Sequence, residues 1–235
     1  MNEYDPQYVA GLFDRMAKTY GVLNYITSFG FSERWRHQCI AAIEQWPKGA
    51  RVFDLMSGMG EAWPSIARRG AGEIVAIDLS PEMCKRAERN RKRYSASILI
   101  RCEDALQTAE PHSADVVVST FGLKTLNSQQ RLQFARAIRN LLKPGGRCSL
   151  VEISDPATWI LRSLYLFYLK RIIPVLGRLF GGDSHAYGML GIYTEKFGDC
   201  QQFGSFLEAE GIEVKYHRFF FGCATGISGR LPDKS

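Results

Sequence analysis

What this sequence lacks narrows its function before any motif is read. Its six cysteines (Cys39, Cys84, Cys102, Cys148, Cys200 and Cys223) show no C-x-x-C spacing and no framework pattern. A disulfide scaffold is therefore not expected, and the thiols read as reduced and mostly buried, in a cytosolic protein. Only four histidines occur (His37, His112, His185 and His217), and they stand too far apart to form a ligand pair, so no metal is expected. The N-terminus, Met-Asn-Glu-Tyr-Asp-Pro, is polar and does not read as a signal peptide. Its most apolar stretch, residues 157–180, is interrupted by Arg162, Lys170, Arg171 and Arg178 and broken by Pro174. A transmembrane span needs about 20 residues with few or no charges, which excludes one here. No internal repeat, low-complexity tract or second domain is visible.

What is present is a chain of 235 residues, 46% apolar and 23% charged. That suits one large α/β domain with additions. The net charge of +6 admits a nucleic acid, an anionic membrane surface or an anionic substrate. The basic residues cluster most between Lys85 and Arg93, where a solvated helix face accounts for them, and no nucleic-acid motif accompanies the run.

The chain is organised around Arg51-Val-Phe-Asp-Leu-Met-Ser-Gly-Met-Gly-Glu61. Residues 51–55 read as a short buried strand, Ser57 to Gly60 as a small-residue turn, and 60–69 as a helix. Strand, glycine turn and helix bring a ligand close to backbone N–H groups and a helix N-terminus. The next strand, 73–78, ends in Asp78, where an acidic residue would meet ribose hydroxyls in a Rossmann-type site. A dinucleotide fingerprint requires a third glycine, but Trp63 occupies that position. A nucleoside ligand without a pyrophosphate fits better.

The flanks follow the same logic. Helices are predicted over 5–20, with Pro6 in the first turn, and over 33–46, with Ser32 as cap; residues 22–31 read as less regular. Ser80-Pro-Glu starts a helix over 81–94. Strands at 97–101 and 114–119 precede a helix at 128–142, which Lys143-Pro-Gly-Gly146 terminates before a strand at 147–153. After a helix at 199–210, strands at 212–219 and near 221–228 have no helix between them and predict an antiparallel hairpin. The expected architecture is a doubly wound α/β fold, Rossmann-like, with seven strands, a mostly parallel sheet and a C-terminal antiparallel hairpin. The stretch 157–180 reads either as core-packing helices or as an interfacial or pocket-lining element.

Four places carry a family resemblance: Phe13-Asp-Arg-Met-Ala-Lys-Thr-Tyr20 with Asn24, Ser28-Phe-Gly30 and Trp35; the glycine loop from Val52 to Glu61; Ser119-Thr-Phe-Gly-Leu123; and Leu141 to Ser154 with its Lys-Pro-Gly-Gly. Over residues 8 to 230 the chain resembles class I S-adenosylmethionine-dependent methyltransferases. Among these it is similar to the ubiquinone/menaquinone biosynthesis C-methyltransferases (UbiE/MenG type). The resemblance implies S-adenosyl-L-methionine as cofactor. Asp54, Ser57, Gly58, Met59 and Gly60 would line its methionine end. Asp78 would hold the ribose hydroxyls, Leu79 would pack on adenine, and Asp104, next to Ala105, would accept from the adenine amino group. Thr120 would sit beside the sulfonium, and Tyr20 would close the site from the N-terminal helix. Asp54 alternatively braces the glycine turn, and Tyr20 and Trp35 alternatively belong to the core.

The sequence departs from the family pattern on the acceptor side. Tyr20-Gly21 stands where the family usually has Tyr-Asp, Ser32 where it has His, and Lys124-Thr125 where it has Arg-Asn. Lys does not reproduce the bidentate fork of Arg. A later family segment, usually Asp-Ser-Tyr followed by Leu and Glu-Ser, appears as His185-Ala-Tyr187, Leu190 and Ile192-Tyr193. His185, Tyr187, Tyr193 and Lys124 are the candidate bases or orienters. The expected reaction is methyl transfer to an apolar acceptor, a reduced prenylated quinone before all. The alternatives are a phenolic or polyketide-like acceptor of secondary metabolism, or a binder of the same cofactor with a different reaction. Residues 1–48 would form a helical lid and 155–198 an apolar helical insertion over the acceptor. The partner is a small lipophilic substrate, not nucleic acid. Peripheral contact with the inner face of the membrane through 157–180, and a homodimer, are left open.

Overall fold

A computed structural model describes residues 2–233. Its centre is a seven-stranded sheet in the order β3-β2-β1-β4-β5-β7-β6. The strands are β1 (Arg51–Leu55), β2 (Glu73–Asp78), β3 (Ser97–Cys102), β4 (Ala114–Thr120), β5 (Leu142–Ile153), β6 (Glu213–Phe219) and β7 (Ala224–Arg230). The first five run parallel, and β7 is antiparallel to both β5 and β6. The expected doubly wound sheet with a C-terminal antiparallel hairpin is therefore present. β5 begins at Leu142, earlier than expected, because the Lys143–Gly146 turn still pairs with the sheet: Leu142 sits opposite Ala114, and a register shift follows before Val116 meets Arg147.

Alternation along the strands sends side chains to two cores. Phe53, Leu55, Val75 and Val117 pack with Phe134 and Ile138 of α6 (Ser128–Leu141) and Phe203 of α10 (Gln201–Ala209). Val52, Ile74, Val116 and Val118 pack on the opposite face with Ile40 of α3 (Phe31–Ala41), Trp63 and Ile66 of α4 (Trp63–Arg68) and Ala87 of α5 (Pro81–Asn90). Asp54 shares that second face and is fully buried.

The N-terminal segment differs from the single helix expected over 5–20. α1 (Pro6–Met16) starts on Asp5, whose carboxylate accepts the N–H groups of Gln7 and Tyr8, and it ends at a turn through Thr19. α2 (Tyr20–Thr27) then occupies residues read as irregular. Ser32 does not cap α3. The chain enters that helix through Gly30 in the left-handed region (φ 76°), and Ser32 is buried inside it, with its hydroxyl accepting from Ser28 Oγ at 2.9 Å. A glycine there makes the tight α2–α3 reversal without Cβ strain.

Residues 162–179 form α7 (Arg162–Phe167), a π turn (Tyr168–Ile172) and α8 (Ile173–Leu179). Pro174 explains the wide turn, since it lacks an N–H and its ring crowds the preceding carbonyls. This segment packs on α9 (Ser184–Phe197). The approach is close enough that a Cβ on Gly177 would meet the Tyr187 ring at 2.6 Å, and one on Gly191 the Leu169 backbone at 3.0 Å. Among the described residues no helix is long and apolar enough to cross a membrane. Cys39, Cys84, Cys148, Cys200 and Cys223 are buried, Cys102 is exposed, and all six are free.

Candidate active site

β1 leads outward to β2 and β3, and the chain returns to β4 on the other side of β1. The crevice beyond the carboxyl ends of β1 and β4 is therefore the switch point where ligands of such sheets bind. Both strand ends turn sharply there. Met56 (φ 57°) follows β1 and Phe121 (φ 67°) follows β4, both non-glycine residues in the left-handed region. Such strain persists where the surroundings over-determine it, commonly at sites.

Tyr20, Ser57, Gly58, Asp78, Leu79, Asp104, Ala105 and Thr120 line one cleft at this edge. Asp54, Met59 and Gly60 are not among its lining residues. The Asp78 carboxylate accepts the N–H of Gly58 at 2.7 Å and of Ser80 at 2.9 Å, so it is fixed while retaining lone pairs for hydroxyl donors. Burial raises its pKa to about 6. Asp104 accepts the Leu106 N–H at 3.0 Å and the Gln107 amide at 3.2 Å. Gly60 adopts φ 90°, and a Cβ on it would meet the Trp63 ring at 2.4 Å. Trp63 thus fills the place that a third glycine would keep open. The Met59 side chain is directed at Gly21, where a Cβ would lie 3.2 Å from its terminal methyl.

The cleft also carries charge that sequence reasoning did not single out. Arg36, on α3, lines it, lies 4.9 Å over the Phe121 ring and bonds Glu33 at 3.1 Å. Glu61 lines it too, with one carboxylate oxygen on the Met59 N–H at 3.0 Å and the other buried without a partner. Both oxygens of Asp54 are also buried and unpartnered, as is the Trp63 indole N–H. Burial, reinforced by the Glu61 charge, pushes the Asp54 carboxyl up to about 8. Unpartnered carboxylates beside a glycine turn suit a cationic ligand, and S-adenosylmethionine carries both an ammonium and a sulfonium. Met56 and Phe121 were missed for another reason, because left-handed strain at non-glycine residues leaves no mark in composition or spacing.

α1 covers the cleft with Pro6, Val9, Ala10 and Phe13. It is tied down by Asp14, which accepts from Ser80 Oγ and from the Glu82 N–H at 3.2 Å, and by the Tyr4 carbonyl, which accepts from the Gln130 amide at 2.9 Å.

A second cavity of about 330 Å³ adjoins the first. Tyr20 and Phe121 belong to both linings and form the partition. The rest of its wall is mostly apolar, with Phe31, Trp35, Tyr165, Tyr168, Ile173 and Leu190 among its members. Two of the candidate bases or orienters line it, Lys124 and Tyr187. Lys124 is buried and its ammonium donates to Glu152 at 2.6 Å and to the Phe121 carbonyl at 3.1 Å. Glu152, wholly buried, also accepts the backbone N–H of Lys124 at 3.0 Å and of Ile153 at 2.7 Å. Tyr187 shares a 3.0 Å hydrogen bond with Thr19, and burial raises its pKa, so it stays a phenol at neutral pH. The other two candidates lie elsewhere. His185 is exposed at the start of α9, 3.2 Å from the Tyr8 hydroxyl. Tyr193 is buried beneath α1 and donates to the Glu3 carbonyl. Among the described residues no histidine, aspartate or glutamate lines this second cavity.

A sheet of this order, with a glycine turn after β1, an acidic residue ending β2 and two adjoining cavities at the switch point, is that of a class I S-adenosylmethionine-dependent methyltransferase. A model of the ubiE/COQ5 methyltransferase family matches residues 1–229, and the chain belongs to that family. It is 30% identical to the demethylmenaquinone methyltransferase of Lactiplantibacillus plantarum, over 96% of this chain and 97% of that one. It is 32% identical to the demethylmenaquinone methyltransferase of Thermotoga maritima, over 94% of each. In fold it is similar to the N-methyltransferase NodS of Bradyrhizobium japonicum, solved with S-adenosyl-L-homocysteine, with a TM-score of 0.58, 17% identity and coverage of 86% of this chain and 88% of that one.

Proposed function

We propose that this methyltransferase C-methylates a reduced, prenylated quinone precursor of the demethylmenaquinone type. The observation that carries the reading is the mostly apolar cavity of about 330 Å³, which shares Tyr20 and Phe121 with the cofactor cleft and has Lys124 among its lining residues. The names of the relatives point the same way.

Bound S-adenosylmethionine supplies an electrophilic methyl group on a sulfonium, already a good leaving group. The chain must hold the cofactor, align the acceptor and stabilise its charge. Asp78 and Asp104 take the ribose and adenine, and Asp54 and Glu61 complement the cationic end. An ammonium has three donors, and two of those on Lys124 are used within the protein, which leaves one for an acceptor oxygen. A cation there favours the phenolate of a quinol over the phenol, and that charge reaches the ring carbon to be methylated. Tyr187, kept protonated, donates rather than abstracts. The quinol proton passes to water as the phenolate forms.

The protein works in the cytoplasm, in contact with the inner face of the membrane through residues 157–180. The test is incubation of the purified chain with S-adenosylmethionine and a chemically reduced short-prenyl demethylmenaquinone, with mass spectrometry and NMR of the product. A ring C-methyl product is expected. Cofactor binding without any transfer to the quinol would overturn the substrate assignment.

A further inference from the structure

Residues 157–180 are rich in large apolar side chains, yet only Leu166 and Gly177 among them are buried. Ile160 is 93% exposed, Leu164 63% and Leu179 74%, and Phe167, Val175 and Phe180 are exposed as well. A core-packing segment would not look like this. Two other exposed apolar groups meet the same place. On the turn after α2, Phe29 is 80% exposed and stacks on Tyr168 with centroids 6.2 Å apart, while the Tyr168 hydroxyl donates to the Thr27 carbonyl at 2.8 Å. Phe221, also exposed, stacks on Trp159 at 5.5 Å, beside Phe220. Phe29, Tyr168 and Phe220 all line the second cavity. The exposed apolar surface is therefore the rim of the acceptor mouth, built from three separate stretches of chain.

The charge around this rim is basic in excess. From Arg15 to Ser32 and from Pro156 to Gly182 there is no aspartate or glutamate, but there are Arg15, Lys18, Arg162, Lys170, Arg171 and Arg178. Arg15, Arg162 and Lys170 are paired with Asp183, Asp155 and Glu195. Among the described residues Lys18, Arg171 and Arg178 pair with no carboxylate. Exposed large apolar side chains with unpaired cations, and acids present only as partners of other cations, are the complement of an anionic lipid headgroup layer over hydrocarbon. A second copy of the chain would bring like charges together across a two-fold axis.

We propose that this rim docks on an anionic phospholipid bilayer, with the acceptor cavity opening onto the headgroup–hydrocarbon boundary. The role of that opening rests on the reading of the acceptor as prenylated: the tail then enters from the bilayer without crossing water.

The test is flotation of the full chain with vesicles of phosphatidylcholine alone and of phosphatidylcholine with phosphatidylglycerol. Binding is expected to the anionic vesicles, weakened by salt. Two double variants, Ile160→Asp with Leu164→Asp and Arg171→Glu with Arg178→Glu, should each lower that binding about tenfold or more. Both should retain wild-type affinity for S-adenosylmethionine, which reports folding. Failure of the wild type to float with anionic vesicles, or flotation of both variants like wild type, overturns the proposal. A wild-type dimer that the apolar variant dissolves, with no vesicle binding by either, overturns it in favour of a second copy as occupant. Vesicle binding needs no substrate. Flotation without quinol methylation leaves the docking surface standing and removes the substrate reading, and methylation of a short-prenyl quinol in solution without flotation does the reverse.

Discussion

Asp54 sits in an environment that its type disfavours, wholly buried with both carboxylate oxygens unpartnered. Its folded carboxyl lies near 8 and that of Asp78 near 6, against an ordinary value of 3.8. The folded state therefore keeps protons that the unfolded chain has released, and stability falls as pH rises through that window. The cofactor-free protein should lose stability from about pH 4 up to about pH 8, the upper part of the loss coming from Asp54. Asp54→Asn should flatten the upper part, read as urea midpoints across pH, and on the proposed cofactor placement it should weaken S-adenosylmethionine binding most above about pH 8, where the carboxyl is already ionised. Lys124 makes the opposite case, a charge whose partner is equally buried. Lys124→Ala should cost about 3–5 kcal/mol in urea unfolding, since it strands Glu152. Lys124→Met with Glu152→Gln, which keeps an acceptor for the backbone N–H groups, should recover most of that stability. If the ammonium also serves the acceptor, the double variant should remain slow in methyl transfer. A stable double variant with wild-type turnover would confine the pair to a structural role.

At the scale of elements, α1 and the cleft it covers share a fastening. The Ser80 hydroxyl accepts the Met83 N–H and so starts α5, while Asp14 on α1 accepts from Ser80 and Glu82. Asp14→Ala should raise the cofactor Kd by about fivefold, on the scale of one lost hydrogen bond, and leave the KM for the acceptor nearly unchanged; isothermal titration and steady-state kinetics read the two. These elements also show where sequence was informative. The glycine turn, the strand end at Asp78 and the Ser80-Pro81 start are local signals, each set by backbone chemistry within a few residues, and the structure contains all three. The break between α1 and α2 was not legible, because both halves are helical by composition and tertiary contacts decide the turn: Thr19 bonds Tyr187, far along the chain. Arg36 escaped notice because a charged residue on a helix ordinarily faces water, and here a cavity replaces the solvent. His185 drew attention by its type alone, but α9 presents it to the surface.

At the scale of the whole molecule, cofactor and fold should stabilise each other. Saturation at 100 times Kd adds about 2.7 kcal/mol to unfolding, and for a domain of this size each kcal/mol moves Tm by about 2–4 °C. S-adenosylmethionine and S-adenosylhomocysteine should therefore raise Tm by about 5–10 °C in a thermal scan at that excess. NAD should not, because Trp63 fills the position a pyrophosphate-binding glycine would leave open. Equal shifts with all three would remove the cofactor assignment.

The partition between the two cavities has a consequence for the order of events. Tyr20 and Phe121 are side-chain walls belonging to both, so a rotamer change that suits one ligand reshapes the space offered to the other. With donor and acceptor in the two cavities as proposed, occupancy is one linked equilibrium, and whatever factor the methyl donor applies to acceptor affinity, the acceptor must return to the donor. The spent nucleoside and the methylated product depart under the same reciprocity, so product inhibition measured at one site reports on the wall that both sites share.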